Sequence, residues 1–222
     1  MRDPSTLQAL IFDVDGTLVD SNDAHAWSWI DALREVGIAA EFAPVRRLIG
    51  MGGDKLLPRV SGLSAESDDG KRIVERRSEI FRGKYLRAVR SFPGSRELLE
   101  AAAADGLSLG IASSARDDEL APLLEIAAVT DLVAHKTSSS DVDASKPDPD
   151  VVHAALGGLG VAPASAALVG DTPYDREAAR RGGTGFFGLR CGGWNSDDLG
   201  GALAIFDDPA AMLAARPWRP RR

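Results

Sequence analysis

The strongest constraint on the fold is a regular alternation of helical and short apolar segments in the second half of the chain. After residue 94, the helical segments RELLEAAAADG and PDVVHAALGGLG are followed by the apolar runs LSLGIASS and AALVGD. Strands that alternate with helices of about 10 to 15 residues predict βαβ units and a parallel sheet. A chain of 222 residues is also long enough to bury a sizeable core.

A helical region interrupts this alternation near the N-terminus. The segment LQALIFDV is typical of a buried strand, and it is stopped by Gly16. No comparable strand follows until about residue 90. Instead, a helix is predicted for NDAHAWSWIDALREVG, with Asn22 as its N-cap and Trp27 in the core of the helical region. A longer, charged helix with a solvated face is predicted for KRIVERRSEIFRGKYLRAV.

We therefore expect an α/β fold with a Rossmann-like parallel sheet, helices on both faces, and an inserted all-helical cap. Residues 1–19 and 90–222 are predicted to form the catalytic core, and residues 20–89 the cap. The first strand is expected to join the sheet, because a lone parallel strand cannot satisfy its backbone hydrogen bonds.

The composition excludes several classes of protein. The net charge of -7 argues against a nucleic-acid partner, which requires a basic face. The single cysteine, Cys191, cannot form a disulfide within the chain. No apolar run reaches the length of a membrane span, and MRDPSTLQ lacks the apolar centre of a signal peptide, so we expect a cytoplasmic protein without a membrane partner. The basic RPWRPRR is predicted to be a frayed tail.

Polar side chains follow four of the predicted strands. In open parallel sheets, ligands bind beyond the carboxyl ends of the strands, so these side chains are expected to meet at one edge. A divalent cation between neighbouring carboxylates would offset their repulsion. The residues concerned are Asp13 and Asp15 after the first strand, Ser113 and Ser114 after LSLGIA, Lys146 in SKPDPD, and Asp171 and Asp175 after AALVG.

The donor set of this cluster indicates its chemistry. Ligands that are all oxygen favour Mg²⁺, which takes one or two carboxylates and keeps several waters. Asp13 and Asp171 are the first candidates, with Asp175 binding directly or through water. Carboxylates beside a lysine and a hydroxyl are typical of phosphoryl transfer, in which Lys146 would offset phosphoryl charge and Ser113 would donate a hydrogen bond.

Four segments resemble, in order, the motifs of the haloacid dehalogenase-like hydrolase superfamily. They are DVDGT, IASS, SKPDPD and GDTPYD. The resemblance spans the whole predicted core. It implies that Asp13 is a nucleophile that becomes an aspartyl phosphate. It also implies that Asp15 is a general acid and base whose backbone carbonyl binds the metal.

The resemblance assigns the remaining motif residues as well. Ser113 and Lys146 are expected to bind phosphate, Asp171 to bind Mg²⁺, and Asp175 to assist it. An acid at the position of Asp15 distinguishes phosphatases and mutases from the dehalogenases of the superfamily. Further candidates for substrate binding are Gly16, Thr17, Ser114, His25 and Lys55.

The inserted helices resemble the superfamily's helical cap, which closes over the site and selects the substrate. Its segment RLIGMGGDKLL is similar to the specificity loop of phosphoglycolate phosphatase-like members and β-phosphoglucomutases. β-Phosphoglucomutases usually place a Lys before the Gly of this loop and an Arg three residues after it. This chain has Ile49 and Gly53 there.

The resemblance thus implies a Mg²⁺-dependent phosphatase for a small phosphate monoester, either phosphoglycolate-like or a sugar phosphate. The chain would act through an aspartyl phosphate as a monomer or homodimer, with a small phosphorylated metabolite as its partner. A β-phosphoglucomutase-type mutase and a non-catalytic binding protein on a hydrolase fold are the alternatives.

Several residues have structural interpretations that compete with the functional ones. Asp13 and Asp15 also suit a turn after a strand. Asp175 suits the first turn of a helix that begins after Asp171 or Thr172. His25 suits the N-terminus of a helix.

In the cap, Arg47 is a further candidate for contact with the substrate.

Overall fold

The computed structural model describes residues 4–220 and confirms the predicted α/β fold. The strands are β1 (Ala9–Phe12), β2 (Val19–Asp20), β3 (Arg90–Ser91), β4 (Ser108–Ala112), β5 (His135–Thr137), β6 (Ala166–Gly170), β7 (Gly185–Leu189) and β8 (Ala204–Phe206). The α-helices are α1 (Asn22–Glu35), α2 (Phe42–Arg46), α3 (Gly53–Ser61), α4 (Asp68–Ile80), α5 (Ser95–Ala104), α6 (Asp117–Ile126), α7 (Asp150–Leu159), α8 (Pro173–Gly182) and α9 (Pro209–Ala215). Within residues 4–220, none of the helices combines the length and the apolar character that crossing a membrane requires.

The first strand occupies the centre of a six-stranded sheet with the order β5-β4-β1-β6-β7-β8. All neighbouring strands of this sheet pair in parallel, and Leu10 of β1 lies opposite Leu109 of β4 and Ala167 of β6. The side chains of β1 are completely buried because strands flank it on both sides and helices cover both faces. This position brings the residue after Phe12 to the middle of the sheet's carboxyl edge.

Apolar side chains of β1 alternate between two cores, one on each face of the sheet. Leu10 and Phe12 belong to the core covered by α5, α6 and α9, whereas Ala9 and Ile11 belong to the core covered by α7 and α8. This alternation follows from the twofold side-chain period of a strand. The uninterrupted apolar run of β1 is therefore the sequence of a strand buried on both faces.

Helices α1 to α4 form the inserted cap between β2 and β3. These two strands pair antiparallel, with Val19 opposite Ser91, so the chain leaves and re-enters the core at one place. The cap has its own apolar cluster, to which Trp29, Leu33 and Ile73 contribute. The long helix predicted for KRIVERRSEIFRGKYLRAV is present but irregular, since α4 continues through a π-helical turn (Phe81–Tyr85) and a 3₁₀ turn (Leu86–Ala88).

Two tryptophans are placed differently from the prediction. Trp27, predicted to lie in the cap core, is 42% exposed and stacks on Phe42, whereas Trp29 is buried. The two residues lie on different faces of α1, so only one of them faces the cap interior. Trp218, in the segment predicted to be frayed, is buried in the core with Leu98 and Met212, and its Nε1 donates to Asp105 Oδ2 at 2.8 Å. The tail prediction was therefore wrong for this part of the segment.

Candidate active site

The loop after β1 carries the first two aspartates. Asp13 N donates to the Val169 carbonyl at 2.9 Å, which extends the pairing of β1 with β6 by one residue. Gly16 then takes a φ of 78°, a conformation that side chains with a Cβ rarely adopt. Both aspartates are buried beneath the cap.

Three buried carboxylates converge at the carboxyl edge of the sheet. Asp13, Asp171 and Asp175 each offer an oxygen, and these oxygens lie within 4.8 Å of one another. Thr17 Oγ1 lies 3.3 Å from Asp13 Oδ2 and 3.1 Å from Asp171 Oδ1, between the two carboxylates. The structure therefore brings the predicted metal-binding side chains together and adds Thr17 to them.

Asp171 is held tightly by residues close to the cap. A Cβ at either Gly16 or Gly192 would overlap its carboxylate, so both positions need glycine. Asn22 Nδ2 donates to Asp171 Oδ2 at 3.0 Å. Asn22 was predicted to be the N-cap of α1, but Ser21 occupies that position and Asn22 begins the helix. Its role in holding Asp171 was not predicted, because residues 22 and 171 meet only through the tertiary fold.

Lys146 is a completely buried lysine at the centre of the cluster. Its Nζ lies 2.6 Å from Asp13 Oδ1 and 2.7 Å from Asp175 Oδ1. Burial alone would lower the pKa of Lys146, but the two carboxylates raise it above its usual range. Lys146 therefore carries a permanent positive charge against Asp13.

Asp175 caps a helix, which is one of the two roles predicted for it, and it also pairs with Lys146. Its Oδ2 accepts hydrogen bonds from Thr172 N at 3.0 Å and Thr172 Oγ1 at 2.6 Å, and Thr172 Oγ1 accepts one from Asp175 N at 3.1 Å. This capping box begins α8. The other oxygen of Asp175 faces Lys146 Nζ. The residue that caps α8 therefore also holds the lysine side chain in place.

The buried carboxylates of this cluster repel one another. Burial, against the opposing effect of Lys146 and together with the neighbouring Asp175 and Asp15, raises the pKa of Asp13 to about 7. Burial and the neighbouring Asp175 and Asp13 raise the pKa of Asp171 well above its usual range. Buried hard oxygen ligands with this repulsion fit a divalent cation. Asp13 and Asp171 would hold it, because Asp175 is engaged by Lys146 and Thr172.

Asp15 lies beside this cluster, and only one of its carboxylate oxygens is held. Ser21 Oγ donates to Asp15 Oδ1 at 2.5 Å, and His25 Nε2 lies 2.7 Å from the same oxygen. Burial would raise the pKa of Asp15, but His25 and Ser21 lower it below its usual range. Among residues 4–220, no side chain or backbone N–H donates to Oδ2, which leaves that oxygen for a ligand.

The two serines after β4 differ in their surroundings. Ser113 is buried, and its Oγ accepts a hydrogen bond from Ala115 N at 3.0 Å. Ser114 lines the cavity over the site, and its buried Oγ has no hydrogen-bond partner in the described part of the chain. Both hydroxyl protons are therefore free of described acceptors.

A cavity of about 550 Å³ lies between the cap and the sheet edge. Asp13 and Asp15 line it from the core, and His25, Ile49 and Gly53 line it from the cap. Lys55 is directed elsewhere, since its Nζ lies 2.6 Å from Asp148 Oδ2 and also contacts the Ser145 carbonyl. Arg47 is likewise outside the lining, with its guanidinium over the ring of Trp194 at 4.3 Å. Both cations therefore connect the cap to the core.

Arg77 and Glu119 are among the charged residues of this cavity that sequence reasoning missed, and they contact each other. Arg77 belongs to α4, whose charges were interpreted as a solvated face, yet its side chain is only 11% exposed. Glu119 of α6 is completely buried, and both of its oxygens lie 2.6 Å from Arg77 Nη1. A pairing between helices 42 residues apart leaves no local pattern in the sequence.

Comparison with known proteins agrees with this geometry. The family model described as haloacid dehalogenase-like hydrolase matches residues 10–189. A phosphoglycolate phosphatase from Rhodospirillum rubrum is 31% identical over 215 residues, covering 92% of this chain and 89% of that protein. The crystal structure of a hydrolase from Pseudomonas syringae has a TM-score of 0.87 at 29% identity, covering 95% of this chain and 97% of that one.

A β-phosphoglucomutase from Clostridium difficile shares the fold, with a TM-score of 0.82 at 18% identity, covering 96% of this chain and 97% of that one. The matched range contains Asp13, Lys146 and Asp171, which the structure gathers at one edge of the sheet. The predicted resemblance is thus confirmed, and the chain belongs to the haloacid dehalogenase-like hydrolase family, with phosphoglycolate phosphatases among its relatives.

Proposed function

We propose that this chain is a Mg²⁺-dependent phosphatase that hydrolyses a small phosphate monoester through an aspartyl phosphate on Asp13. The observation that carries the proposal is the setting of Asp13, which is buried at the floor of the cavity with Lys146 Nζ 2.6 Å from its Oδ1. A carboxylate beside a fixed cation, with a second carboxylic acid two residues away, suits transfer of a phosphoryl group in two steps.

Asp13 and Asp15 would divide the chemistry between them. A bound phosphate ester brings negative charge beside Asp15 and favours its protonated form. In the first step a carboxylate oxygen of Asp13 forms a bond to phosphorus, the ester P–O bond breaks, and Asp15 gives its proton to the departing alcohol oxygen. In the second step Asp15 takes a proton from water, the water oxygen attacks phosphorus, and the Asp13–phosphorus bond breaks. Phosphate leaves, and both aspartates return to their starting states.

Lys146, Ser113 and Ser114 would hold the phosphoryl group during both steps. The ammonium group of Lys146 does not have to move to meet the phosphoryl group, because Asp13 and Asp175 already fix its Nζ. The serine hydroxyls after β4 are available as donors. Asp13, Asp171 and the Asp15 carbonyl would hold Mg²⁺, which when bound offsets charge on the phosphoryl oxygens.

The substrate is proposed to be phosphoglycolate or a sugar phosphate. The relative from Rhodospirillum rubrum named a phosphoglycolate phosphatase supports the first, and a cavity of about 550 Å³ accommodates either. Ile49 and Gly53 line that cavity where β-phosphoglucomutases usually carry cations, which favours hydrolysis over the mutase alternative. We further propose that residues 20–89 act as a cap that closes over a core formed by residues 1–19 and 90–222, in a cytoplasmic enzyme.

The test is phosphate release from a panel of monoesters in the presence of Mg²⁺. The panel includes phosphoglycolate, hexose phosphates, nucleotides and β-glucose 1-phosphate, the last also assayed for conversion to glucose 6-phosphate. We expect rapid release from one compound or class, loss of release in EDTA and recovery with added Mg²⁺. Conversion without release would instead establish a mutase, and undiminished release in chelator from metal-free protein would overturn the metal requirement.

A further inference from the structure

A line of buried contacts reaches Asp15 from the opposite side of the cavity. Glu119 on the core helix α6 accepts from Arg77 Nη1 at 2.6 Å through both of its oxygens. Arg77 lies on the cap helix α4, and its Nη2 contacts Nδ1 of His25. His25 Nε2 lies 2.7 Å from Asp15 Oδ1. Three side chains thus connect a core helix, through two cap helices, to the carboxylate proposed as the acid.

The chemistry of arginine fixes the state of the His25 ring. A guanidinium has only donors, so Arg77 donates and His25 Nδ1 accepts. With Nδ1 unprotonated, the ring proton is on Nε2 and is donated to Asp15. The Phe81 ring stacks on His25 at 4.0 Å between centroids, at an angle of 11°, and holds the imidazole in this plane.

Glu119 is the residue that keeps Arg77 in place. It is completely buried and could not remain ionised alone, since burial raises the pKa of a carboxylate. Arg77, through its charge and its hydrogen bond, outweighs this and holds the pKa of Glu119 below its usual range. The Nη1 of Arg77 is accordingly engaged by Glu119 and its Nη2 contacts His25, so both Nη groups already have partners within the chain.

We propose that Arg77 and Glu119 are positioning residues for Asp15, an inference that rests on the proposed phosphatase function. Glu119 orients Arg77, Arg77 fixes the Nε2–H form of His25, and His25 together with Ser21 holds Oδ1 of Asp15. The carboxylate is then oriented with Oδ2 free to exchange its proton with the leaving alcohol and the attacking water. Neither Arg77 nor Glu119 contacts the reacting atoms in this arrangement.

The kinetic test compares Glu119→Gln with Asp118→Asn on two substrates. Asp118 is a matched control, because it is the neighbouring carboxylate on α6 and also pairs with the cap, through Arg82 at 3.3 Å, without contacting His25. One substrate is 4-nitrophenyl phosphate, whose leaving group needs no proton, and the other is the best alkyl monoester of the panel. We expect Glu119→Gln to lower kcat/KM about 10- to 100-fold for the alkyl ester and less than about threefold for the aryl ester. Asp118→Asn should change both by less than about threefold.

Equal losses on the two substrates in Glu119→Gln would overturn the proposal, since they would indicate a general structural role or a contact of Arg77 with the phosphate. A second measurement is needed in case Glu119→Gln fails to fold, and it uses the wild-type protein. Nitrogen NMR of the three ¹⁵N-labelled histidines, with His25 assigned by His25→Asn, should find His25 protonated on Nε2 and not on Nδ1. A proton on Nδ1 would overturn the proposal.

These two measurements separate this inference from the proposed function. A wild-type protein that hydrolyses neither ester refutes phosphatase activity towards them, and with it the acid role on which the proposal rests. The NMR result still decides whether Arg77 fixes the histidine.

Discussion

The environment of Asp13 explains why its carboxylate is reactive and also why its burial costs free energy of folding. Its carboxylate is buried, and Lys146 lies against one oxygen while Thr17 contacts the other. The raised pKa of Asp13, about 7, follows first from burial and is increased by Asp175 and Asp15. A group held in this way serves chemistry rather than stability.

Replacing the nucleophile should therefore separate activity from folding. Asp13→Asn keeps the size of the side chain and removes the nucleophilic oxygen pair, so we expect turnover to fall at least about a thousandfold. The free energy of unfolding in urea should stay within about 0.5 kcal/mol of wild type or rise, because a repelling buried charge is lost. Steady-state phosphate release and urea unfolding measure the two effects.

Asp20→Asn is the control for this substitution, because Asp20 is exposed near the same loop. It should leave both quantities unchanged. Residual activity above a few per cent in Asp13→Asn would show that Asp13 is not the nucleophile.

Residues of the site could be predicted wherever a local pattern marks them. Asp13, Ser113 and Asp171 each follow an apolar strand, and strand ends of a parallel sheet meet at one edge. Asn22 and Arg77 could not be predicted, because their partners lie 149 and 42 residues away and no local period records such contacts. The sequence identifies the groups at strand ends, whereas the groups that orient them depend on the packing of the cap.

Helices and strands were predictable to the extent that their buried faces are local. The strand β1 is apolar throughout and was identified directly, whereas α1 carries two tryptophans and the wrong one was assigned to the cap core. Two residues that are two positions apart lie on different helix faces, and only tertiary packing decides which face is buried. The same limit applies to the C-terminal segment, in which Trp218 packs against α5 and α9 despite its basic neighbours.

The two tryptophans provide a test of this assignment. Trp218→Ala removes a side chain that is 4% exposed, together with its hydrogen bond to Asp105, and should cost about 3 to 5 kcal/mol of unfolding free energy. Trp27→Ala removes a side chain that is 42% exposed and a stacking contact with Phe42, and should cost less than about 1.5 kcal/mol. Urea unfolding followed by circular dichroism measures both, and equal costs would mean that the C-terminal segment is not docked in solution.

At the scale of the whole molecule, the carboxylate site links distant parts of the chain. Asp13 follows β1 and Asp171 follows β6, and they come together only when these strands pair. A cation that binds both therefore binds the folded chain and not the unfolded one. Its binding free energy is added to the free energy of unfolding.

This linkage predicts a large effect of Mg²⁺ on thermal stability. At about 100 times its Kd, a cation adds about 2.7 kcal/mol, which for a chain of this length raises Tm by about 5 to 10 °C. Asp171→Asn should abolish most of that shift, and its Tm without metal should equal or exceed that of wild type, because the mutual repulsion with Asp13 is removed. Thermal unfolding in EDTA, in Mg²⁺ and in NaCl of matched ionic strength distinguishes binding from screening. If NaCl reproduced the shift, or if Asp171→Asn kept it, Asp13 and Asp171 would not form the metal site, and their burial would need another explanation.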